Sequence, residues 1–173
     1  MAAGSALAAV GFAIVAQVEG PTGLAVLVTG FVVFSLGLAP VFTLATDLIV
    51  GAAPTDRAGA AAAISETGSE LGGALGIAIL GSIGIAVYRS EVTGAIPAGL
   101  PHEAVEGARD TLGGAVALAG QLPDPHGAEL LDAARAAFTE SLQLTSATSA
   151  AVAVGIAVVA AVMLRRASHG EAD

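Results

Sequence analysis

With 173 residues, 55% of them hydrophobic and only 12% charged, this chain lies far from an ordinary globular domain, in which about 25% of residues are charged. Its mean hydropathy is +0.83, its formal net charge is −9, and its six basic residues are all arginine, which excludes a basic groove tracking a nucleic-acid backbone. With no cysteine, a disulfide framework and a thiolate metal site are excluded as well, and the composition predicts an all-α integral membrane protein.

Four stretches are long enough and apolar enough to predict transmembrane helices, since crossing a bilayer core of about 30 Å takes about 20 residues. The first, residues 2–19, is uncharged as far as Val18. A secretory signal peptide is the alternative there, but the positive n-region is missing and the apolar run is continuous. Glu19-Gly20-Pro21-Thr22-Gly23 reads as a tight turn, so the first span and the second, residues 23–50, form an antiparallel hairpin. Pro40 sits inside the second span, where it removes a backbone donor and is expected to kink the helix. Asp47 lies near the end of that span, and Pro54 to Arg57 make a short loop in which Thr55 or Asp56 can cap the next helix. Asp47, Pro40 and Arg57 are read as gating or helix-end residues.

The third span covers residues 58–88 and carries Glu66 and Glu70 as its only charges. Spacing of four puts both carboxyls on one helix face, continued by Gly73, Ile77 and Gly84. Gly68, Gly72 and Gly76 form a small-xxx-small ladder on the opposite side, predicted to admit a neighbouring helix at close range. At about 1.5 Å per residue from Ala58, Glu66 lies about 12 Å and Glu70 about 18 Å along the helix, so Glu70 falls near the bilayer midplane. Acids at membrane depth cost about 2.5–3.5 kcal/mol each on insertion scales, and a carboxyl held away from water exchanges protons nearer neutral pH. Glu70 and Glu66 are therefore the candidate proton- or cation-coupling residues, with structural hydrogen bonding as the competing reading.

Residues 89–140 hold eight of the fifteen acidic residues. Val105, Ala108, Leu112, Ala115, Val116 and Ala119 recur at helical spacing after Pro101, and Leu130, Ala134, Ala137, Phe138 and Leu142 repeat the pattern beyond a break at Gly120 to Pro125. That predicts an amphipathic helical hairpin at the membrane surface. The fourth span covers 141–164, and a tail, 165–173, opens with Arg165-Arg166. Arginine bias puts Arg57 and the tail in the cytoplasm and the acidic hairpin outside. His102, His126 and His169 are scattered without ligand spacing, no glycine-rich phosphate loop joins a strand to a helix, and no hydrolytic constellation is visible. The expectation is a non-enzyme with no metal site and no cofactor.

Pro54-Thr55-Asp56-Arg57-Ala58-Gly59-Ala60-Ala61, followed by Ile64-Ser65-Glu66-Thr67-Gly68-Ser69-Glu70-Leu71-Gly72-Gly73-Ala74-Leu75-Gly76-Ile77, resembles the penultimate-helix region of fourteen-span drug:proton antiporters, the EmrB/QacA-type members of the major facilitator superfamily. The layout of the whole chain, with a long external loop before the last helix and a short basic tail, is similar to their last four spans. The resemblance implies secondary active efflux from the cell (plasma or inner) membrane, a proton entering as an amphipathic or cationic small molecule leaves. Family acids associated with proton or cation handling match Glu66 and Glu70. It also implies a C-terminal piece whose partners are the lipid bilayer and the missing N-terminal transporter spans, because alternating access needs two halves rocking around a central site. Two other classes stay open on the residues alone: a stand-alone four-span exporter acting as a small dimer, and a non-transporting membrane interaction protein whose acidic hairpin meets a partner. The long hairpin and the position of the carboxyl pair on the third span count against the dimeric exporter.

Overall fold

A computed structural model describes residues 1–99 and 101–170, with side chains as far as residue 163. The predicted arginine pair at 165–166 and His169 lie outside the described side chains. Among these described residues six α-helices follow one another: α1 (Ala2–Val15), α2 (Gly23–Gly51), α3 (Ala58–Thr93), α4 (His102–Asp110), α5 (Leu112–Ala119) and α6 (His126–Gly170). No strand occurs among the described residues. The chain divides into two compact units, one from Met1 to Gly76 together with the chain from Ser146 onward, the other Ile77–Thr145.

Among the described residues, three helices are long and apolar enough to cross a membrane: the α2, α3 and α6 segments. The expected first span is shorter than its prediction of 2–19, because α1 ends at Val15 after 14 residues, about 21 Å at 1.5 Å per residue. Its end is set locally. Gln17 and Val18 turn back through their amides onto Ile14 and Val15, Glu19 is extended, and Gly20 takes a φ of +56° that a side chain would strain. Pro21 then leads a single 3₁₀ turn, Gly20–Thr22, into α2.

Packing in the first unit is carried by the α1–α2 hairpin, and glycine makes it close. A Cβ at Gly37 would stand 2.5 Å from the Ala8 nitrogen, one at Gly30 2.5 Å from Val15 Cγ2, and one at Gly4 2.7 Å from the Gly37 carbonyl; at Gly11 it would collide with the Phe34 backbone. The pairs Gly4–Val41, Ala8–Gly37, Gly11–Phe34 and Val15–Gly30 run in strict antiparallel register. Glycines seven apart on each helix thus let the backbones touch, which is how helices associate where lipid removes the hydrophobic drive. Phe12 stacks near Phe34 at 4.9 Å between ring centres, and Phe31 meets Phe34 edge-on at 5.6 Å. The helix α2 runs unbroken through Pro40.

The second unit has a conventional core. Val92, Ala108, Ala115, Leu130 and Ala134 are fully buried, with Tyr88, Leu118 and Ala137 beside them. The expected two-helix hairpin is differently built. Its first arm breaks at Thr111, which is extended at φ −149° and ψ 151° and caps α5 by accepting from the Gly114 amide at 3.0 Å. The break lets α5 fold back on α4, where Gly114 lies so close to the Gly107 carbonyl that no Cβ fits. The second arm runs straight on into the apolar stretch that follows it, both lying in the one uninterrupted helix α6.

Candidate ion-coupling site

The helix α3 positions the two membrane glutamates. It is continuous for 36 residues, about 54 Å, because no proline follows Pro54 within it and its glycines lie among Ala, Leu and Ile. Its start is a 3₁₀ turn, Thr55–Arg57, closed by the Arg57 amide on the Pro54 carbonyl at 2.8 Å. The expected side-chain cap from Thr55 or Asp56 is not formed; Asp56 instead lies 3.9 Å from Arg57, both well exposed.

Midway between Arg57 and Arg89 stands Gly73. Glu70 is about 4–5 Å from that midpoint along the axis and Glu66 about 10 Å, at 1.5 Å per residue. The stretch from Ala58 to Tyr88 is about 46 Å long, more than a hydrocarbon core of about 30 Å, and a helix of that length tilts or projects. Both glutamates are exposed on the α3 surface, and neither makes a hydrogen bond or ion pair with the other described residues. Thr67, between them, satisfies its own hydroxyl by donating to the Ala63 carbonyl at 2.8 Å. The carboxylates are thus one turn apart, on one face, with every acceptor position open.

The surroundings are apolar. Little of the apolar stretch of α3 is buried within the chain, and Ile64 and Ile77 are 72% and 78% exposed. Among the described residues, nothing outside the helix's own backbone lies within 4 Å of a Cβ at Gly68, Gly72 or Gly76, so the predicted ladder makes no close helix contact there. Asp47 and Pro40 are exposed on α2, Thr43 donating back to the Ala39 carbonyl at 3.2 Å just past the proline. The structure therefore brings Glu66 and Glu70 together on one helix, and shows no polar contact from Asp47 to either.

Close glycine packing on α3 occurs where the periodicity had assigned none. A Cβ at Gly84 would lie 3.1 Å from Ser141 Oγ and 3.3 Å from Thr145 Oγ1, and Ser141 donates to the Gly84 carbonyl at 2.8 Å. The signal was present as two hydroxyl residues four apart, Ser141 and Thr145, at the start of the predicted fourth span. Tyr88 was also missed: buried, it donates to the Ala108 carbonyl at 3.0 Å. Arg89 pairs with Asp110, and Arg109 reaches Thr93 Oγ1 at 3.2 Å and Glu106 at 3.4 Å. His126 lies 3.5 Å from Glu129, one turn away on the same helix. No group of three or more ligating side chains suited to a metal occurs among the described residues.

Similarity to known proteins covers almost the whole chain. Over 166 residues, 96% of its length, it is 39% identical to the multidrug efflux pump LfrA of Mycolicibacterium smegmatis, of which the match covers 32%. It is 33% identical over 164 residues, 88% of its length, to the tetracenomycin C resistance and export protein of Streptomyces glaucescens, covering 29% of that protein. A shorter match, 42% identical over 106 residues and 60% of the chain, covers 21% of the methyl viologen resistance protein SmvA of Salmonella typhimurium. The chain thus spans about a third or less of the length of these relatives. No family model matches it, and no solved structure matches it. All three relatives are named for efflux, export or resistance, and none for an enzymatic reaction.

Proposed function

We propose that this chain, which belongs to the drug-efflux proteins of the major facilitator superfamily, is the C-terminal portion of a proton-coupled exporter. It is a multi-pass protein of the plasma membrane and not an enzyme. The observation that carries the proposal is the asymmetry of the match: 96% of the chain against 32% of a multidrug efflux pump. In this reading α1 joins α2, α3 and α6 as a fourth span, held at its short length by the glycine hairpin. The acidic segment between α3 and α6 lies outside, and Arg57 faces the cytoplasm.

Glu70 is assigned the coupling role and Glu66 an auxiliary one. A carboxylate near the middle of a span is costly unless it faces a cavity or exchanges its charge for a proton. The neighbouring spans of the complete transporter supply that cavity, and their docking on Gly68, Gly72 and Gly76 leaves the glutamate face free. Protonation from outside and release inside then biases the two access states, which rock about a central site. The cargo is an amphipathic or cationic organic compound; the names of the relatives cite tetracenomycin C and methyl viologen.

A chimera tests this reading. The present chain replaces the matching third of the mycobacterial pump, and efflux of a fluorescent organic cation is followed in pump-deficient cells. Efflux above the empty host is expected. A chimera that reaches the membrane folded yet exports nothing contradicts the proposal.

A further inference from the structure

We infer that the C-terminal end of α3 and the N-terminal end of α6 are clamped into one body that stays closed through the working cycle, so that opening at this end is left to other helices. The role in a cycle rests on the transport reading above; the clamp itself rests on geometry. Three kinds of contact converge on it within Ile77–Thr145. At the seam, Ser141 donates to the Gly84 carbonyl at 2.8 Å, and the missing Cβ of Gly84 leaves α6 seated against α3. One turn beyond, Tyr88 reaches from α3 to the Ala108 carbonyl of α4 at 3.0 Å, in a buried position. Beside it, Arg89 pairs with Asp110, and Arg109 turns back to Thr93.

The core closes the circuit. Val92 of α3 and Leu130 of α6 are both fully buried in one cluster with Ala108 and Ala115. Pulling α3 from α6 would expose these side chains and break the Ser141 bond to the Gly84 carbonyl, and parting α4 from α3 as well would leave the buried Ala108 carbonyl without its Tyr88 donor. A gating element needs two arrangements of comparable free energy, whereas a tightly packed core with its polar groups satisfied favours one. Sliding in one direction is blocked as well, since a shear that brought Val87 or Tyr88 to Ser141 would drive a larger side chain into the space that Gly84 leaves.

Spin labels on Glu91→Cys in α3 and Ala136→Cys in α6, both exposed positions of this cysteine-free chain, read the separation by double electron–electron resonance in the full chain in proteoliposomes. One narrow distance is expected, unchanged between acidic and alkaline pH and on adding an organic cation. A second distance, or a shift with either condition, overturns the clamp. Tyr88→Phe with Asp110→Asn should lose the narrow peak while circular dichroism keeps its helical signal; a narrow peak in that variant means these contacts are not what holds the ends together. In the chimera, Gly84→Cys with Ser141→Cys places a Cβ 3.1 Å from the site of the second sulfur, close enough to bridge. The bridged protein should export as well as its reduced form, and export regained only on reduction overturns the clamp. Narrow distances in the chain alongside an unbridged chimera that never exports would retire the transport reading and leave the clamp standing.

Discussion

Replacing Gly84 with leucine should injure the protein in a way that replacing Gly72 does not, as long as the chain is alone. At Gly84 an added side chain meets Ser141 and Thr145 at 3.1 and 3.3 Å, and overpacking of this kind costs about 1–3 kcal/mol. At Gly72 a Cβ has none of the described residues of another element within 4 Å. Thermal unfolding of the chain in detergent should show a lowered midpoint for Gly84→Leu and none for Gly72→Leu. In the chimera the second substitution should also reduce folded yield, because there the proposed docking face is occupied. A Gly72→Leu chimera with undiminished yield would take the ladder out of the assembly. The carboxyl pair was legible from spacing alone, since four residues on a helix fix a common face. The Gly84 seam was not, because a period of 3.6 ranks faces by composition and cannot say which of two small-residue faces meets a neighbour.

Among the elements, the Ile77–Thr145 unit depends on Leu130, which is fully buried between α5 and the ends of α3 and α4. Leu130→Ala should cost about 2–5 kcal/mol, the range for a large-to-small change in a packed core. Limited proteolysis after Pro101 and around Gly120 should then speed up while the apolar spans stay intact; unchanged cleavage would mean this core does not hold the segment. The apolar spacing at Val105, Ala108, Leu112 and Ala115 found the helical content of this region. It could not show the break, because Thr111 is as compatible with a helix surface as with an N-cap, and only the fold-back of α5 onto α4 decides between them. The α1–α2 hairpin was legible through Gly20-Pro21, whose conformational demands are local. Its length was not: the uncharged run continues to Val18, yet the helix yields to the turn three residues earlier.

At the scale of the molecule, orientation and coupling are the two claims. Single cysteines at Ser90 and Thr55, both exposed, should label differently with an impermeant thiol reagent in intact cells, Ser90→Cys reacting and Thr55→Cys reacting only after permeabilisation. Labelling of Thr55→Cys alone would invert the topology. Composition announced a membrane protein because lipid imposes its constraint on every residue of a span. What the spans do together was not written in their periodicity, since Glu66 and Glu70 are exposed on α3 and make no polar contact with the other described residues. The most direct measurement is therefore transport per folded molecule in proteoliposomes of the chimera, driven by an imposed pH gradient, for wild type, Glu66→Gln and Glu70→Gln. Glutamine keeps the shape and hydrogen-bonding capacity of a protonated carboxyl but cannot release a proton. Glu70→Gln should fold normally and lose gradient-driven export, with Glu66→Gln retaining a part; gradient-driven export at the wild-type rate in folded Glu70→Gln would rule out the coupling role of Glu70.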